Sequence, residues 1–118
     1  MILVDTSVWI DHFRTGDAAL AQMLDQGRVL MHPFVLGELA LGNFRRRDVL
    51  ATLRDLPAAF VATDNEVLDF IERNTLFGLG IGYVDAHLLA AVALTPGASL
   101  LTRDSRLATA AERLSRRH

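Results

Sequence analysis

Met1-Ile2-Leu3-Val4-Asp5-Thr6-Ser7-Val8-Trp9 is the stretch that decides the fold. Four apolar residues in a row, rich in branched side chains, read as a short strand buried on both faces. The run stops on a carboxylate. Asp5 therefore belongs at the carboxyl end of a central strand, where open α/β sheets place their ligands. Thr6 and Ser7 follow, and their hydroxyls can cap the next helix. Asp5 has an ordinary alternative as a helix cap or turn residue. What raises its interest is that three more acids recur in matching settings.

Working outward, Val8 to Phe13 reads as a helix with Trp9, Ile10 and Phe13 inward. Thr15-Gly16-Asp17 is a break, and Asp17 can cap a helix running through Leu20, Met23 and Leu24 to Gly27. Val29-Leu30-Met31 reads as a second buried strand. Pro33 suits the first turn of a third helix, Phe34 to Phe44, which is apolar on most sides and so expected to be mostly buried. Glu38 lies in its middle, between Phe34 and Leu41. It points either out through a gap in the apolar surface or into a polar site.

Asp48 opens a short helix through Val49, Leu50 and Leu53 to Leu56, closed by Pro57. Ala58 to Ala62 reads as a weaker strand. Thr63-Asp64-Asn65-Glu66 is a capping box for a helix expected to reach Phe77. Gly78-Leu79-Gly80-Ile81-Gly82 lacks the Lys-Ser/Thr ending of a phosphate loop and follows a helix, so it reads as a tight connection. Tyr83-Val84-Asp85-Ala86-His87 leads into a buried helix, Leu88 to Leu94. Ser99 to Thr102 is a last strand that runs out into Arg103-Asp104-Ser105, and a helix through Leu107, Ala111 and Leu114 follows. Strands alternate with helices, so one domain over residues 1–118 is expected. It should carry a central, mostly parallel sheet of four to five strands in a three-layer α/β/α sandwich.

Composition narrows the function. Hydrophobic residues make up 51% of the 118, which excludes a disordered chain. There is no Cys, so disulfides and thiolate zinc sites are excluded. No basic stretch precedes an apolar segment, and the longest apolar run, Leu88 to Leu94, is too short to span a bilayer, so an intracellular protein is expected and no membrane partner. Net charge is −2, but all 12 basic residues are Arg. Arg45-Arg46-Arg47 form one cluster, and Arg113, Arg116 and Arg117 crowd a C-terminus expected to be a frayed tail. Arg offers a planar fork that matches phosphate oxygens.

Asp5 and Asp104 both lie past strand ends, hence on one edge of a parallel sheet. Glu38 and Asp85 lie early in helices entered from that edge. If the four converge, they repel: two carboxylates ~4 Å apart cost on the order of 4 kcal/mol at an effective dielectric near 20. Such a cluster partly protonates or takes up a cation. All-oxygen ligands favour Mg²⁺ or Mn²⁺, which suits phosphodiester hydrolysis. Thr6, Ser7 and Thr102 supply hydroxyls to orient the ligands. His32 is the one His placed near this edge, and His87 is expected in the core or at an interface.

Four blocks carry a resemblance: Val4-Asp5-Thr6-Ser7, His32-Pro33 with Gly37-Glu38-Leu39-Ala40-Leu41-Gly42, Gly80-Ile81-Gly82-Tyr83-Val84-Asp85-Ala86-His87, and Leu101-Thr102-Arg103-Asp104 with Arg106-Leu107. In order, and over nearly the whole chain, they resemble the PIN-domain ribonucleases, and among them the VapC-like toxins of type II toxin–antitoxin pairs. The resemblance implies a Mg²⁺- or Mn²⁺-dependent endoribonuclease with its acidic quartet on Asp5, Glu38, Asp85 and Asp104. Its substrate would be tRNA, rRNA or mRNA. It also implies a homodimer and a cognate VapB-like antitoxin that blocks the site in a larger hetero-oligomer. Arg45, Arg46, Arg47, Arg73 and Arg103 are the candidates for gripping RNA. Two other readings use similar acids: a structure-specific DNA nuclease, for which the chain has little room, and a non-catalytic metal- or partner-binding module. A phosphate-accepting module of that kind needs a Lys that is not present.

Overall fold

The computed structural model describes residues 1–42 and 47–118. The chain runs β1 (Ile2–Val4), α1 (Thr6–Thr15), α2 (Ala18–Asp25), β2 (Val29–Leu30), α3 (Pro33–Leu41), α4 (Arg47–Arg54), α5 (Asp64–Arg73), α6 (Tyr83–Leu94), β3 (Ser99–Leu101) and α7 (Ser105–Arg113). The strands are parallel and ordered β2-β1-β3, with Ile2 opposite Val29 and Ser99, and Leu3 opposite Leu30 and Leu100. Ile2, Leu3 and Val4 are all fully buried. Each such side chain contributes roughly 1.5–3 kcal/mol on leaving water. Helices pack around the sheet: α6 and α7 lie on β3, α1 on α3, and α5 on α6.

The strand order fixes where a ligand can sit. From β1 the chain steps to one side to form β2 and later returns to the other side to form β3. The carboxyl end of β1 is therefore the point where the winding reverses, and there the connections part to leave a crevice. Asp5 occupies that point.

Four expectations are corrected. Beyond the three strands, each sheet edge carries only a single parallel bridge among the described residues, Met31 with Ala58 and Leu100 with Arg117. Ala58–Ala62 is thus not a strand: Met31 N donates to Pro57 O and Ala59 N to Met31 O, but Phe60 N then turns to Thr95 Oγ1. The C-terminal tail is not frayed, because Leu100 N donates to Arg116 O and His118 N to Leu100 O.

Helix α3 is not mostly buried. Val35 and Leu39 face the core one turn apart, whereas Leu41 is 89% exposed. Its expected last residue, Phe44, lies outside the described residues, as do Arg45 and Arg46. Helix α5 stops at Arg73 rather than reaching Phe77. Thr75 takes a positive φ of 49°, and the Arg113 guanidinium gathers the freed carbonyls of Asn74 and Thr75. The capping box is present, with Thr63 N donating to Glu66 Oε1 and Glu66 N to Thr63 Oγ1.

Candidate active site

Asp5 is 8% exposed although it carries a carboxylate, and its acceptor capacity is well used. As the N-cap of α1 it accepts from Thr6 N on Oδ1 (2.8 Å). Its Oδ2 accepts from Ser7 Oγ (3.0 Å) and Thr102 Oγ1 (2.7 Å). A carboxylate held by three donors is fixed in direction. The same two segments reach the other acids. Thr6 Oγ1 donates to Glu38 Oε1 (2.9 Å), tying the start of α1 to α3 across 32 residues. Thr102 Oγ1 also accepts from Asp104 N (3.1 Å), so one hydroxyl links the carboxyl ends of β1 and β3. Arg103 N donates to Ser7 Oγ (3.1 Å), which closes the network.

Asp104 caps α7, with Oδ1 accepting from Arg106 N and Leu107 N. Asp85 lies in the first turn of α6, where Oδ2 accepts from Gly82 N (3.0 Å). Burial pushes the Asp85 carboxyl above its ordinary range. The Gly82 N–H opposes that shift, while the charges of Asp5 and Asp104 add to it. Asp5, Asp85 and Asp104 thus sense one another. Hydrogen bonds join Asp5 to Glu38 through Thr6 and to Asp104 through Thr102. The capping roles and the shared edge are compatible, because each cap uses one oxygen. Asp85 Oδ1, Asp104 Oδ2 and Glu38 Oε2 accept nothing from the described residues.

The donor set fits a hard divalent cation. Every donor is oxygen, and none of the four acids forms an ion pair with a described basic residue. Hard oxygen donors of this kind suit Mg²⁺ or Mn²⁺. As the side chains stand, no three of these or other acids and histidines among the described residues are close enough together to hold one ion.

The histidines serve the scaffold. His32 is fully buried and caps α3, its Nδ1 accepting from Phe34 N (3.0 Å). Burial, with a smaller contribution from His87, lowers its pKa to about 4. His87 is buried too, and its Nε2 meets Asp64 Oδ1 at 3.2 Å. Of the arginines singled out from the sequence, Arg103 is occupied: its guanidinium reaches Asp11 in α1 at 3.3 Å and Asp17 at the start of α2. Arg47 and Arg73 are exposed at helix ends. Sequence reasoning passed over Arg106, whose side chain lies across Gly80 beside Asp104.

The chain is similar to known proteins. The PIN domain model matches residues 2–113, which span all four acids. A protein named Ribonuclease VapC32, from two strains of Mycobacterium tuberculosis, is 51% identical over 114 residues, covering 93% of this chain and 90% of that protein. A parallel sheet with an acid at its reversal point, three further acids on the same edge, and a match over almost the full length agree. This chain belongs to the PIN-domain family.

Proposed function

We propose that this chain is a metal-dependent endoribonuclease of the VapC type, the toxin of a type II toxin–antitoxin pair, which hydrolyses RNA phosphodiester bonds at Asp5, Glu38, Asp85 and Asp104. The observation that carries the reading is the hydroxyl-linked acidic cluster at the carboxyl edge, in a chain 51% identical to a protein named a ribonuclease.

The four carboxylates would hold Mg²⁺ or Mn²⁺, which supplies Lewis-acid neutralisation of the charge that develops on the scissile phosphate. The chain's own residues prepare that position. Ser7 and Thr102 fix the Asp5 carboxylate, so its direction is set before any ligand arrives. Thr6 does the same for Glu38. Gly82 N–H anchors one oxygen of Asp85 and leaves the other for binding. Burial and the charges of Asp5 and Asp104 favour a proton on Asp85, so a cation competes with that proton and binds less well as pH falls.

A VapB-like antitoxin and a second copy of this chain are the partners that belong with this reading. Leu41, Leu68 and Phe77 leave apolar surface exposed that suits such contacts. No helix among the described residues is long and apolar enough to cross a membrane. The cytoplasm is the compartment the reading implies, since RNA and newly made antitoxin meet there.

The test is incubation of purified protein with total RNA in Mg²⁺ or Mn²⁺, with and without chelator, and mapping of the new ends. Cleavage should be chelator-sensitive and should vanish in Asp85→Asn, whose amide oxygen still accepts from Gly82 N and so preserves the helix start. The mapped ends decide among tRNA, rRNA and mRNA. RNA left intact in both metals, or cut equally by the variant, would refute the assignment.

A further inference from the structure

Helix α7 leads away from Asp104 with a row of side chains on one face. Arg106, Thr109, Ala110 and Arg113 stand at i, i+3, i+4 and i+7, the spacing of one helical stripe. Together with Leu79 and Ser105 they line a groove of about 220 Å³. Arg106 is exposed and has no acidic partner among the described residues. Its side chain crosses the glycine loop at Gly80, whose φ is +76°; a methyl group there would fall 2.8 Å from Arg106 Nη1. The loop thus approaches closely enough to give the guanidinium a floor, and its positive φ at this position favours glycine. Arg113 bonds to backbone carbonyls of Asn74 and Thr75 and to the Thr75 hydroxyl, none of which cancels its charge. Arg103, by contrast, is neutralised by Asp11 and Asp17.

We propose that this groove is the phosphate-binding track for the RNA strand beside the cleavage site, with Arg106 and Arg113 as its two cationic contacts and the Ser105 and Thr109 hydroxyls lining it alongside them. The inference rests on the endoribonuclease reading and names how that site holds its substrate. Charge placement favours a polyanion. The acids at the sheet edge repel a nucleic acid, so the grip needs cations next to them, and α7 begins at one of those acids. Seven residues of helix separate the two arginines by about 10 Å along the axis, the rise of roughly three stacked nucleotides. The groove-lining hydroxyls extend the contact along the backbone, which carries position rather than sequence.

The experiment measures binding of the full chain to a pool of mixed-sequence 20-nucleotide single-stranded RNA in chelator, where cleavage cannot intervene, over a range of salt. Arg106→Gln should weaken binding about ten-fold at low salt. It should also reduce the slope of log K against log salt by about 0.7, the share of one phosphate on a single strand. Arg106→Lys, which keeps the charge, should retain most of the slope. The double variant with Arg113→Gln should lose about twice as much. Arg28 lies at the opposite, amino-terminal edge of the sheet, where its carbonyl receives Ile2 N–H, and Arg28→Gln should leave the slope unchanged.

An unchanged slope in Arg106→Gln overturns the proposal, and so does an equal loss in Arg28→Gln, which would reflect net charge alone. If Arg106→Gln keeps its RNA affinity but loses that for an acidic protein partner, the groove serves a protein and the proposal fails. Wild-type protein that cleaves RNA in Mn²⁺ while Arg106→Gln binds normally leaves the endoribonuclease reading standing without this groove. Wild-type protein that neither binds nor cleaves RNA removes both.

Discussion

Acidification will act on the stability of this protein through His32. His32 Nδ1 accepts the Phe34 N–H that starts α3, so the proton of the neutral ring sits on Nε2 inside the core. A second proton must displace that cap and place a charge in a fully buried site. Its pKa in the folded chain is accordingly about 4, against 6.5 when unfolded. The sign follows from proton counting: below pH 6.5 the unfolded chain takes up a proton that the folded chain refuses. The stability contributed by neutral His32 is complete above that value and is lost as pH falls from 6.5 towards 4. Between about pH 7.5 and about pH 5 the loss is on the order of 2 kcal/mol, a large part of the 5–15 kcal/mol typical of a domain.

Urea unfolding followed by the fluorescence of buried Trp9 gives the measurement. His32→Asn is the comparison, because Asn retains a side-chain acceptor at the cap and does not titrate. Both proteins share the contributions of Asp85 and His118, so the difference between them isolates His32. Wild type should lose about 2 kcal/mol more than His32→Asn over that range. Equal losses in the two proteins, within about 0.5 kcal/mol, would refute the argument that burial and the cap keep this ring neutral.

Two other outcomes follow from single contacts. Thr102→Val removes the hydroxyl that bonds Asp5 Oδ2 and receives Asp104 N, at nearly constant volume. Thermal unfolding should show a loss of about 1–3 kcal/mol, and cleavage titrated with Mn²⁺ should show metal affinity or activity reduced about 10–100-fold. Gly80→Ala puts a side chain at φ +76° and into Arg106. It should cost about 1–2 kcal/mol, read as a drop of roughly 3–6 °C in melting temperature per kcal/mol. RNA affinity should fall with it as Arg106 is displaced.

Much of the site was legible from residue types and order alone. A buried run ending in Asp5 defines a central strand and its ligand end, because an apolar run of that length is stable only when covered on both faces. The Thr63 capping box, the Asp17 cap and the Pro33 helix start are likewise local, since each depends on bonds spanning two or three residues. The chemistry of four acids without thiolates already pointed to a hard cation. What the sequence could not reveal depends on groups far apart in the chain. Arg103 reads as a free cation until Asp17, 86 residues away, is found beside it. Arg106 reads as an ordinary helix residue until Gly80 is found beneath it.

The same division explains the remaining differences. A strand at Ala58–Ala62 and a frayed tail at Arg116–Arg117 are both reasonable on composition, yet the first shrinks to a bridge and the second joins the sheet. Edge pairing is decided by which backbone lies alongside, and local sequence does not encode that. Apolar content made α3 look buried all round, but a single chain supplies only one face to cover it, leaving Leu41 outside. Sequence by itself determined where the helices start and where the three paired strands lie, because backbone and side-chain preferences act over a few residues. Tertiary structure decided which charges are cancelled and which are left for a ligand, because that depends on through-space distances the chain order does not contain.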